Sequence, residues 1–447
     1  MLQEHDIEIK LKCQQYSCES YIRNEDENES VFMFESKQKT EEVRCPHCGG
    51  RVNISGLTSK HLKDIALWEG MKQDICFLCH RYRCVQCGRK FTEDIPMRYP
   101  GTRITDRAAA WIKSLLRNKV SIRGIQNVTG IHWDTIRQIH KEMMEDTLEK
   151  RRQELLAANY HPRILAVDEF AIHKGHTYAT CVMDLESGEV LWVGKGRSKA
   201  DFARFFDETE PSFITGVMAV AMDMNASYYL LIQEKLPQAK IVYDRYHMQA
   251  QFGKDVLGVV RLEEARRHKA QANALNQTVH SLDKEQQKEV KEQIQAEKKQ
   301  YSQIKKLRWA LLTNGASLDA KKAQFLQSIL QEHSDLAVCY AMKEELCALF
   351  ELTDPLAAYE GWKRWFNAAE ASGIPALVKF AELKRSRFDG LVAHAVFPIS
   401  TGKLEGFNNR IKVAKRIGYG YRDDAYFFSL IRYLALPSMP SAVPNFP

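Results

Sequence analysis

The sequence lacks long apolar runs, and no stretch approaches the ~20 residues that a helix needs to cross a bilayer. Its first residues, MLQEHDIEIKLKCQ, alternate charged and apolar side chains, so they also lack the apolar core of a signal peptide. We find no internal repeat and no low-complexity linker in the 447 residues. These absences argue against a membrane-bound or secreted protein, and we expect the chain to stay in the cytoplasm.

Cysteine is scarce over most of the chain, since eight of the 11 cysteines come before residue 88. In a cytoplasmic protein this usage favours metal ligands or buried thiols over disulfide bonds. Four of the eight form two CxxC motifs, Cys45-Pro-His-Cys48 and Cys84-Val-Gln-Cys87, and each motif is followed by glycine. Two such pairs about 35 residues apart can close one tetrahedral four-cysteine site, and each glycine relieves the tight turn around the metal. We therefore predict a structural Zn²⁺ held by these four cysteines.

A third CxxC motif, Cys76-Phe-Leu-Cys79, lacks the trailing glycine. It falls within a strand predicted over 72–83, and alternation along a strand would place its two sulfurs on opposite faces. Buried or free thiols are therefore our interpretation of Cys76 and Cys79, with metal binding as the alternative. Cys13 and Cys18 are interpreted in the same way.

Net charge is modest, at 64 Lys and Arg against 57 Asp and Glu, but basic residues are concentrated in two blocks. Residues 81–123 contain 11 basic and three acidic side chains, and residues 403–422 contain six basic side chains and one acidic side chain. Two basic blocks on a nearly balanced chain favour surfaces that bind a polyanion such as nucleic acid. An ordinary solvated surface is the alternative.

A helical pattern runs from Ile104 to about Arg152. Within it, a short helix over 121–130 is closed by glycine and is followed by a second helix over 131–141, which together predict a helix-turn-helix. Such a helix pair is also a common packing unit, but the basic block leads directly into it. Side chains around the second helix could contact phosphates and base edges of DNA. The candidates are Arg123, His132, Arg137 and Lys141.

Between 164 and 244 the pattern predicts strand, strand, strand, helix, strand, helix and strand, which form a mixed α/β sheet. This order resembles the ribonuclease-H-like fold, in which the fourth strand lies parallel beside the first. Asp168 closes the apolar run of the first strand, and Asp223 closes that of the fourth. A single aspartate there can be only a cap, but a carboxylate within an apolar pattern is costly unless it is paired or binds a cation.

Strand spacing decides which acids can act together. Neighbouring strands lie ~4.8 Å apart, so Asp168 and Asp223 could share two divalent ions ~3.5–4 Å apart. Asp244 follows the fifth strand and would lie about two strand spacings from Asp168. We therefore prefer Asp223 to Asp244 as the second metal ligand.

A long segment after residue 249 shows no convincing strand up to residue 391, and residues 262–306 are dense in Lys, Glu and Gln. This composition predicts long solvated helices and an all-helical insertion. Trp309, Trp362 and Trp365 in this segment could stack on a flipped base, although core packing is the favoured interpretation.

Glu405 opens a basic helix that follows the insertion. Positions three and four apart share a helix face, so this acid could meet the metals while its neighbours follow a phosphate backbone. Those neighbours are Asn408, Asn409, Lys412 and Arg416. A surface glutamate is the alternative.

Several motifs occur in order along nearly the whole chain: Ala166-Val-Asp-Glu-Phe-Ala171, Met222-Asp-Met, Asp244-Arg-Tyr-His247, Gly402-Lys-Leu-Glu-Gly-Phe-Asn-Asn-Arg, and Lys415-Arg-Ile-Gly-Tyr-Gly-Tyr421. With the four-cysteine module and the helix-turn-helix, they resemble the DDE transposases of the ISL-three group of bacterial insertion sequences. The resemblance implies that Asp168, Asp223 and Glu405 form the catalytic triad. It also implies that Asp244 and His247 support the active site. One departure is Thr401, where the group more often has asparagine before the glycine.

The predicted architecture is a multidomain α+β protein. Residues 1–100 form N-terminal strands and a zinc-ribbon-like module built on the four cysteines, and residues 101–155 form the helix-turn-helix. Residues 156–248 and 396–447 form the ribonuclease-H-like core, which is interrupted by the all-helical insertion 249–395.

The predicted function is DNA cleavage and strand transfer at the ends of an insertion sequence. Asp168 would bridge two Mg²⁺ (or Mn²⁺) ions, with Asp223 and Glu405 each completing one coordination sphere. The partners would be the terminal inverted repeats, target DNA and further copies of the chain, in a homodimer or larger assembly. Alternatives are a ribonuclease-H-like structure-specific DNA nuclease and a non-catalytic zinc and helix-turn-helix DNA-binding regulator.

Overall fold

The chain divides into two compact units, Met1–Glu154 and Leu155–Pro447. The computed structural model describes residues 16–24, 26, 28–65, 72–95, 97–173, 177–399, 402–418 and 420–437, without the side chain of residue 405. Cys13, Thr401 and the start of the segment predicted to form N-terminal strands, residues 1–15, lie outside the described residues.

The first unit contains a five-stranded sheet with the order β1-β2-β4-β3, and β5 pairs with β4. Neighbouring strands are antiparallel except for β2 and β4, which are parallel. Apolar residues that alternate along β2 and β4, such as Phe34, Ile75 and Phe77, are buried in the core of this sheet. The bounds are β1 (Tyr16–Asn24), β2 (Glu29–Ser36), β3 (Val52–Asp64), β4 (Lys72–Cys84) and β5 (Lys90–Thr92).

Three helices follow this sheet: α1 (Asp106–Arg117), α2 (Ile122–Thr129) and α3 (Trp133–Ala157). The side chain of Ser121 accepts a hydrogen bond from the backbone N–H of Gly124 and so caps the start of α2. Helix α2 ends at Gly130, whose φ of 67° is a left-handed conformation that favours glycine. Both helices of the predicted pair are therefore present, and the second is longer than expected.

The second unit contains a five-stranded sheet with the order β10-β9-β6-β7-β8. Strands β6, β7 and β8 form antiparallel hairpins, whereas β9 lies parallel beside β6 and β10 lies parallel beside β9. The predicted parallel pairing of the first and fourth strands is therefore found. The bounds are β6 (Ile164–His173), β7 (Thr177–Asp184), β8 (Val190–Lys195), β9 (Ala219–Met222) and β10 (Lys240–Tyr243).

Helices connect the later strands of this sheet. They are α4 (Lys199–Glu208), the short α5 (Pro211–Ile214), α6 (Ala226–Lys235) and α7 (Arg245–Phe252). Asn225 caps the start of α6 and Asp244 caps the start of α7, each by accepting hydrogen bonds from two backbone N–H groups.

The segment from Gly253 to Ala395, all of which is described, contains helices and no strand. A π-helical turn at Gly253–Leu257 leads into α8, which packs along α9 to form a helical hairpin. Trp362 and Trp365 are fully buried as predicted, whereas Trp309 is 70% exposed. The helices are α8 (Gly258–Thr278), α9 (Lys284–Lys306), α10 (Arg308–Leu312), α11 (Ala320–Glu332), α12 (Ser334–Leu349), α13 (Pro355–Ala371), α14 (Pro375–Arg385) and α15 (Phe388–Val392).

Two helices complete the second unit: α16 (Gly402–Ile417) and α17 (Asp424–Ala435), of which α17 was not anticipated. Leu404, Phe407 and Ile411 form a buried stripe on one face of α16, which contacts β6. Lys415 Nζ of this helix donates to the backbone oxygen of Ala171 in β6 at 2.7 Å. No helix in the described part of the chain is long and apolar enough to span a membrane.

Candidate functional site

Two acids lie on adjacent segments at the centre of the second sheet: Asp168 is within β6, and Asp223 directly follows β9. Val167 of β6 pairs with Met222 of β9, so the next residues, Asp168 and Asp223, lie side by side across strands ~4.8 Å apart. The sequence suggested that Asp168 ends its strand, but in the structure it does not. Strand β6 continues to His173 because its pairing with β7 extends past Asp168, which lies opposite Cys181.

The pKa of Asp168 is raised, chiefly because burial disfavours the charged carboxylate. The negative charge of Asp223 acts in the same direction. Three groups oppose the shift: the backbone N–H of Glu169 at 2.8 Å, the charge of His247, and Asn408 Nδ2 at 2.7 Å. A cation between the two aspartates would favour the ionised form that burial disfavours.

Glu169 and Asn225 belong to this site, and sequence reasoning missed both. Asn225 Nδ2 donates to Glu169 Oε1 at 3.1 Å, and the backbone N–H of Asn225 donates to Asp223 Oδ1 at 3.0 Å. Burial raises the pKa of Glu169, and a hydrogen bond from Tyr228 opposes the shift. The signal in the sequence was a second polar residue shortly after each aspartate: Glu169 is one position after Asp168, and Asn225 is two positions after Asp223.

Asp244 and His247 contribute differently. Asp244 Oδ1 accepts hydrogen bonds from the backbone N–H groups of Tyr246 at 2.6 Å and His247 at 3.3 Å. It lies beyond β10, and β9 separates β10 from the strand that carries Asp168. His247 is close enough for its charge to lower the pKa of Asp168. Its Nδ1 is buried and has no hydrogen-bond partner among the described residues.

Helix α16 brings Asn408 to the aspartates. Glu405 lies in the first turn of this helix, but its side chain is not among those described. Asn408, one turn later, donates to Asp168, and its Oδ1 is buried without a hydrogen-bond partner in the described part of the chain. Asn409, Lys412 and Arg416 are exposed. Of the four candidates for DNA contact on α16, Asn408 therefore contacts the aspartate pair, and the other three lie on the protein surface.

Four cysteines of the first unit meet in a separate cluster. Val52 pairs with Cys84, so the two CxxC turns lie at the same end of the β3–β4 hairpin. Cys45 Sγ lies 3.6 Å from Cys87 Sγ, and Cys48 Sγ lies 3.5 Å from Cys84 Sγ. All four sulfurs lie within 4.8 Å of one another. Zinc–sulfur bonds of about 2.3 Å at the tetrahedral angle would give sulfur separations of about 3.8 Å.

Backbone donors favour the thiolate of Cys84 in this cluster. Hydrogen bonds from the N–H of Cys87 and then from the N–H of Gln86 help to lower the pKa of Cys84 to about 6. Cys76 and Cys79 lie outside the cluster, and burial raises the pKa of each thiol, that of Cys79 to about 11. Cys18 is buried as well. Among the described cysteines, the structure therefore brings together only the four predicted ligands.

The candidates for DNA contact in the first unit lie on α2, on α3 and in the turn between them. Arg123 and His132 are exposed. The guanidinium of Arg137 lies 5.8 Å from the ring centre of Trp133, and Lys141 Nζ lies 3.8 Å from Glu145 Oε1. These four basic groups thus remain at or near the surface of one helix pair.

Residues 165–431 match a family model described as a transposase. The match includes both aspartates, the helical insertion and α16, and it defines the class of the protein. The chain belongs to the ISL-three family of DDE transposases. It is 32% identical over 404 residues to the transposase for insertion sequence element IS1001 of Bordetella parapertussis, which covers 90% of each chain. It is 27% identical over 331 residues to the transposase for IS1557 of Mycobacterium tuberculosis, covering 73% of this chain and 70% of the relative.

The raised pKa of Asp168 predicts that Asp168→Asn stabilises the protein in magnesium-free buffer. A carboxyl whose folded-state pKa is raised favours folding at low pH, and that contribution is lost as pH rises through the folded-state pKa. Removing the buried charge should therefore raise the melting temperature at pH 7.5 and have less effect near pH 4.

The matched control is Asp244→Asn, because asparagine caps a helix as well as aspartate does. Differential scanning calorimetry without chelator, so that tightly bound zinc is retained, measures both variants. A lower melting temperature for Asp168→Asn at pH 7.5 would show that burial of this charge is not costly.

Proposed function

We propose that the chain cleaves DNA at the ends of an insertion sequence and joins those ends to target DNA by metal-dependent phosphoryl transfer. The observation that carries the proposal is the position of Asp168 and Asp223, which directly follow the paired residues Val167 and Met222 of two parallel strands. The strand order β10-β9-β6-β7-β8 supports a ribonuclease-H-like core. In this proposal, residues 156–248 and 396–447 form the core, and residues 249–395 form its insertion.

Asp168, Asp223 and Glu405 would hold two Mg²⁺ or Mn²⁺ ions. Carboxylate oxygens suit these hard cations, and the cost of burying two neighbouring acids supports a cation between them. Glu405 is the third ligand because α16 contacts β6 and because Asn408, one turn further along, reaches Asp168. When bound, the ions would activate water and then a DNA 3′-hydroxyl, and would stabilise the leaving oxygen.

The other polar groups of the site prepare Asp168 for this role. Asn408 and His247 both favour its ionised form. Asp244 acts on the site indirectly, because it caps α7 and so fixes the backbone that carries His247. Asn225 links Glu169 to the loop that carries Asp223.

Zn²⁺ fits the four-cysteine cluster, since the sulfur separations of 3.5 and 3.6 Å are close to those of a tetrahedral site. The ion would be structural and would supply folding energy to the module within residues 1–100. The zinc module and the helix-turn-helix of residues 101–155 would recognise the terminal inverted repeats. Basic groups there would contact phosphates, as would Asn409, Lys412 and Arg416 on α16.

The assembled enzyme would be a homodimer or larger, with each copy holding one transposon end. It would act on DNA in the bacterial cytoplasm, at the nucleoid. Target choice can be loose in this scheme, because the active site needs to contact only phosphates.

Three substitutions should abolish both cleavage and joining without abolishing binding to end DNA: Asp168→Asn, Asp223→Asn and Glu405→Gln. Each removes a metal-binding charge, and a loss of at least about 100-fold is typical when one group that stabilises transition-state charge is removed. The measurement is the rate of cleavage of a labelled transposon end in Mg²⁺. Binding is followed in parallel by gel shift in Ca²⁺.

Asp244→Asn is the matched control, and it should retain most activity because asparagine preserves the helix cap. An inactive Asp244→Asn variant together with an active Asp223→Asn variant would show that Asp244, and not Asp223, is the second ligand. A second assay supplies the wild-type enzyme with pre-cleaved transposon ends and a target plasmid. Failure to join these ends to the plasmid would indicate a structure-specific nuclease.

Loss of one ligand from the four-cysteine cluster should release one zinc ion and unfold the first sheet locally. We expect Cys84→Ser to lower zinc content by one equivalent and to speed hydrogen exchange over β3 and β4, because the two CxxC turns would no longer be joined. Cys76→Ser is the control, since this thiol lies in the same strand but outside the cluster. An unchanged zinc content in Cys84→Ser would contradict a zinc site here.

A further inference from the structure

A second cluster of metal-ligating side chains lies inside the helical insertion. Glu264 and His268 are one turn apart on α8, and His333 lies between the end of α11 and the start of α12. One ligand atom from each of the three residues lies within 4.8 Å of the others. The transposition chemistry proposed above uses none of these side chains.

The cluster is well shielded from solvent. The side chains of His333, Glu264 and His268 are only 3%, 11% and 13% exposed. The Nε2 atoms of both histidines are buried and have no hydrogen-bond partner among the described residues. A buried polar atom without a partner is destabilising, so the Nε2 atom of His268 in particular needs a physical explanation, since His333 faces the cluster through its Nδ1.

Glu297 of α9 fixes the tautomer of one histidine. Its Oε2 lies 2.6 Å from His268 Nδ1, a distance that favours a proton on Nδ1 and leaves the Nε2 lone pair available. Metal-binding histidines commonly have this second contact, in which a carboxylate accepts from one ring nitrogen while the other nitrogen binds the ion. The cluster therefore has the supporting carboxylate of a metal site as well as potential ligands close to one another.

The remaining contacts are compatible with metal coordination. His333 Nδ1 lies 3.2 Å from Glu264 Oε2. Two ligand atoms with bonds of about 2.0–2.1 Å at the tetrahedral angle would lie about 3.3 Å apart. Arg267 pairs with Glu264 at 2.7 Å, and the carboxylates of Glu264 and Glu297 together with this guanidinium carry a net charge of −1. A divalent cation would offset this charge.

We propose that Glu264, His268 and His333 form a second zinc-class metal site, with Glu297 positioning His268. Two imidazoles and one carboxylate suit Zn²⁺, whereas the active-site Mg²⁺ prefers oxygen ligands alone. The ion connects α8 to the junction of α11 and α12, while Glu297 connects the site to α9. Its role is to clamp the helical hairpin onto the rest of the insertion, in the way that structural zinc stabilises small domains.

The test measures zinc in the full-length protein after dialysis against excess Mg²⁺, which keeps zinc off the aspartate site. We expect His268→Ala and His333→Ala each to lose one zinc equivalent relative to wild type. His280→Ala, an exposed histidine on the same hairpin, is the matched control and should lose none. Cys84→Ser should lose the zinc ion of the four-cysteine cluster and retain the zinc ion that the two histidine variants lose.

A variant that preserves the fold makes the test independent of misfolding. Glu297→Gln keeps a hydrogen-bond acceptor beside His268 and should weaken zinc affinity by about 10–100-fold, measured by competition with a chromophoric chelator. In the Cys84→Ser background, Co²⁺ should give d–d absorption bands without sulfur charge-transfer bands. Equal zinc content in wild type, His268→Ala and His333→Ala would overturn the proposal and identify the cluster as a hydrogen-bonded network. The transposase function would be unaffected.

Discussion

The parallel pairing of β6 with β9 is the constraint on which the proposed catalytic core depends. Backbone hydrogen bonds fix the register Val167 to Met222, and this register leaves Asp168 and Asp223 side by side. A shift by one residue would turn one of the two carboxylates to the opposite face of the sheet. The apolar residues before each acid, such as Leu165 and Val220, are buried in the core and hold the register in place.

Function and stability oppose each other at this point of the sheet. Two neighbouring acids in a partly buried site are unfavourable without a cation, as the raised pKa of Asp168 indicates. Hydrogen-bond donors around Asp168 offset part of the cost of burying its charge. They include the backbone N–H of Glu169 and the side-chain amide of Asn408, which lies 240 positions later in the sequence. Helix α16 is thereby tied to β6 at Asp168, and Lys415 adds a further hydrogen bond to the same strand. In the proposed function, this site would trade folding energy for affinity toward a metal ion.

Local sequence patterns predicted much of this structure. The strands around Asp168 and Asp223 and the four-cysteine cluster followed from apolar periodicity and cysteine spacing, and the structure contains them. The parallel pairing of the two strands, which is also present, followed from the resemblance of the strand order to the ribonuclease-H-like fold. The extension of β6 beyond Asp168 was not predicted, because an acid within an apolar run was interpreted as the end of the strand. The structure shows instead that pairing with β7 continues past it.

Contacts between distant segments were beyond sequence reasoning. The bond from Asn408 to Asp168 and the meeting of Glu264 with His333, 69 positions apart, depend on how helices pack. No local periodicity encodes such packing. Glu169 was also missed, because a second acid on a strand is indistinguishable from a solvated residue until its partners Asn225 and Tyr228 are known.

The most direct test of the central claim is the position of Mn²⁺ in crystals of the protein, located by anomalous scattering. The account predicts density that contacts the carboxylates of both Asp168 and Asp223, with Glu405 completing the coordination. Density between Asp223 and Asp244, away from Asp168, would contradict it. In that case the pairing of β6 with β9 would not be the feature that builds the active site.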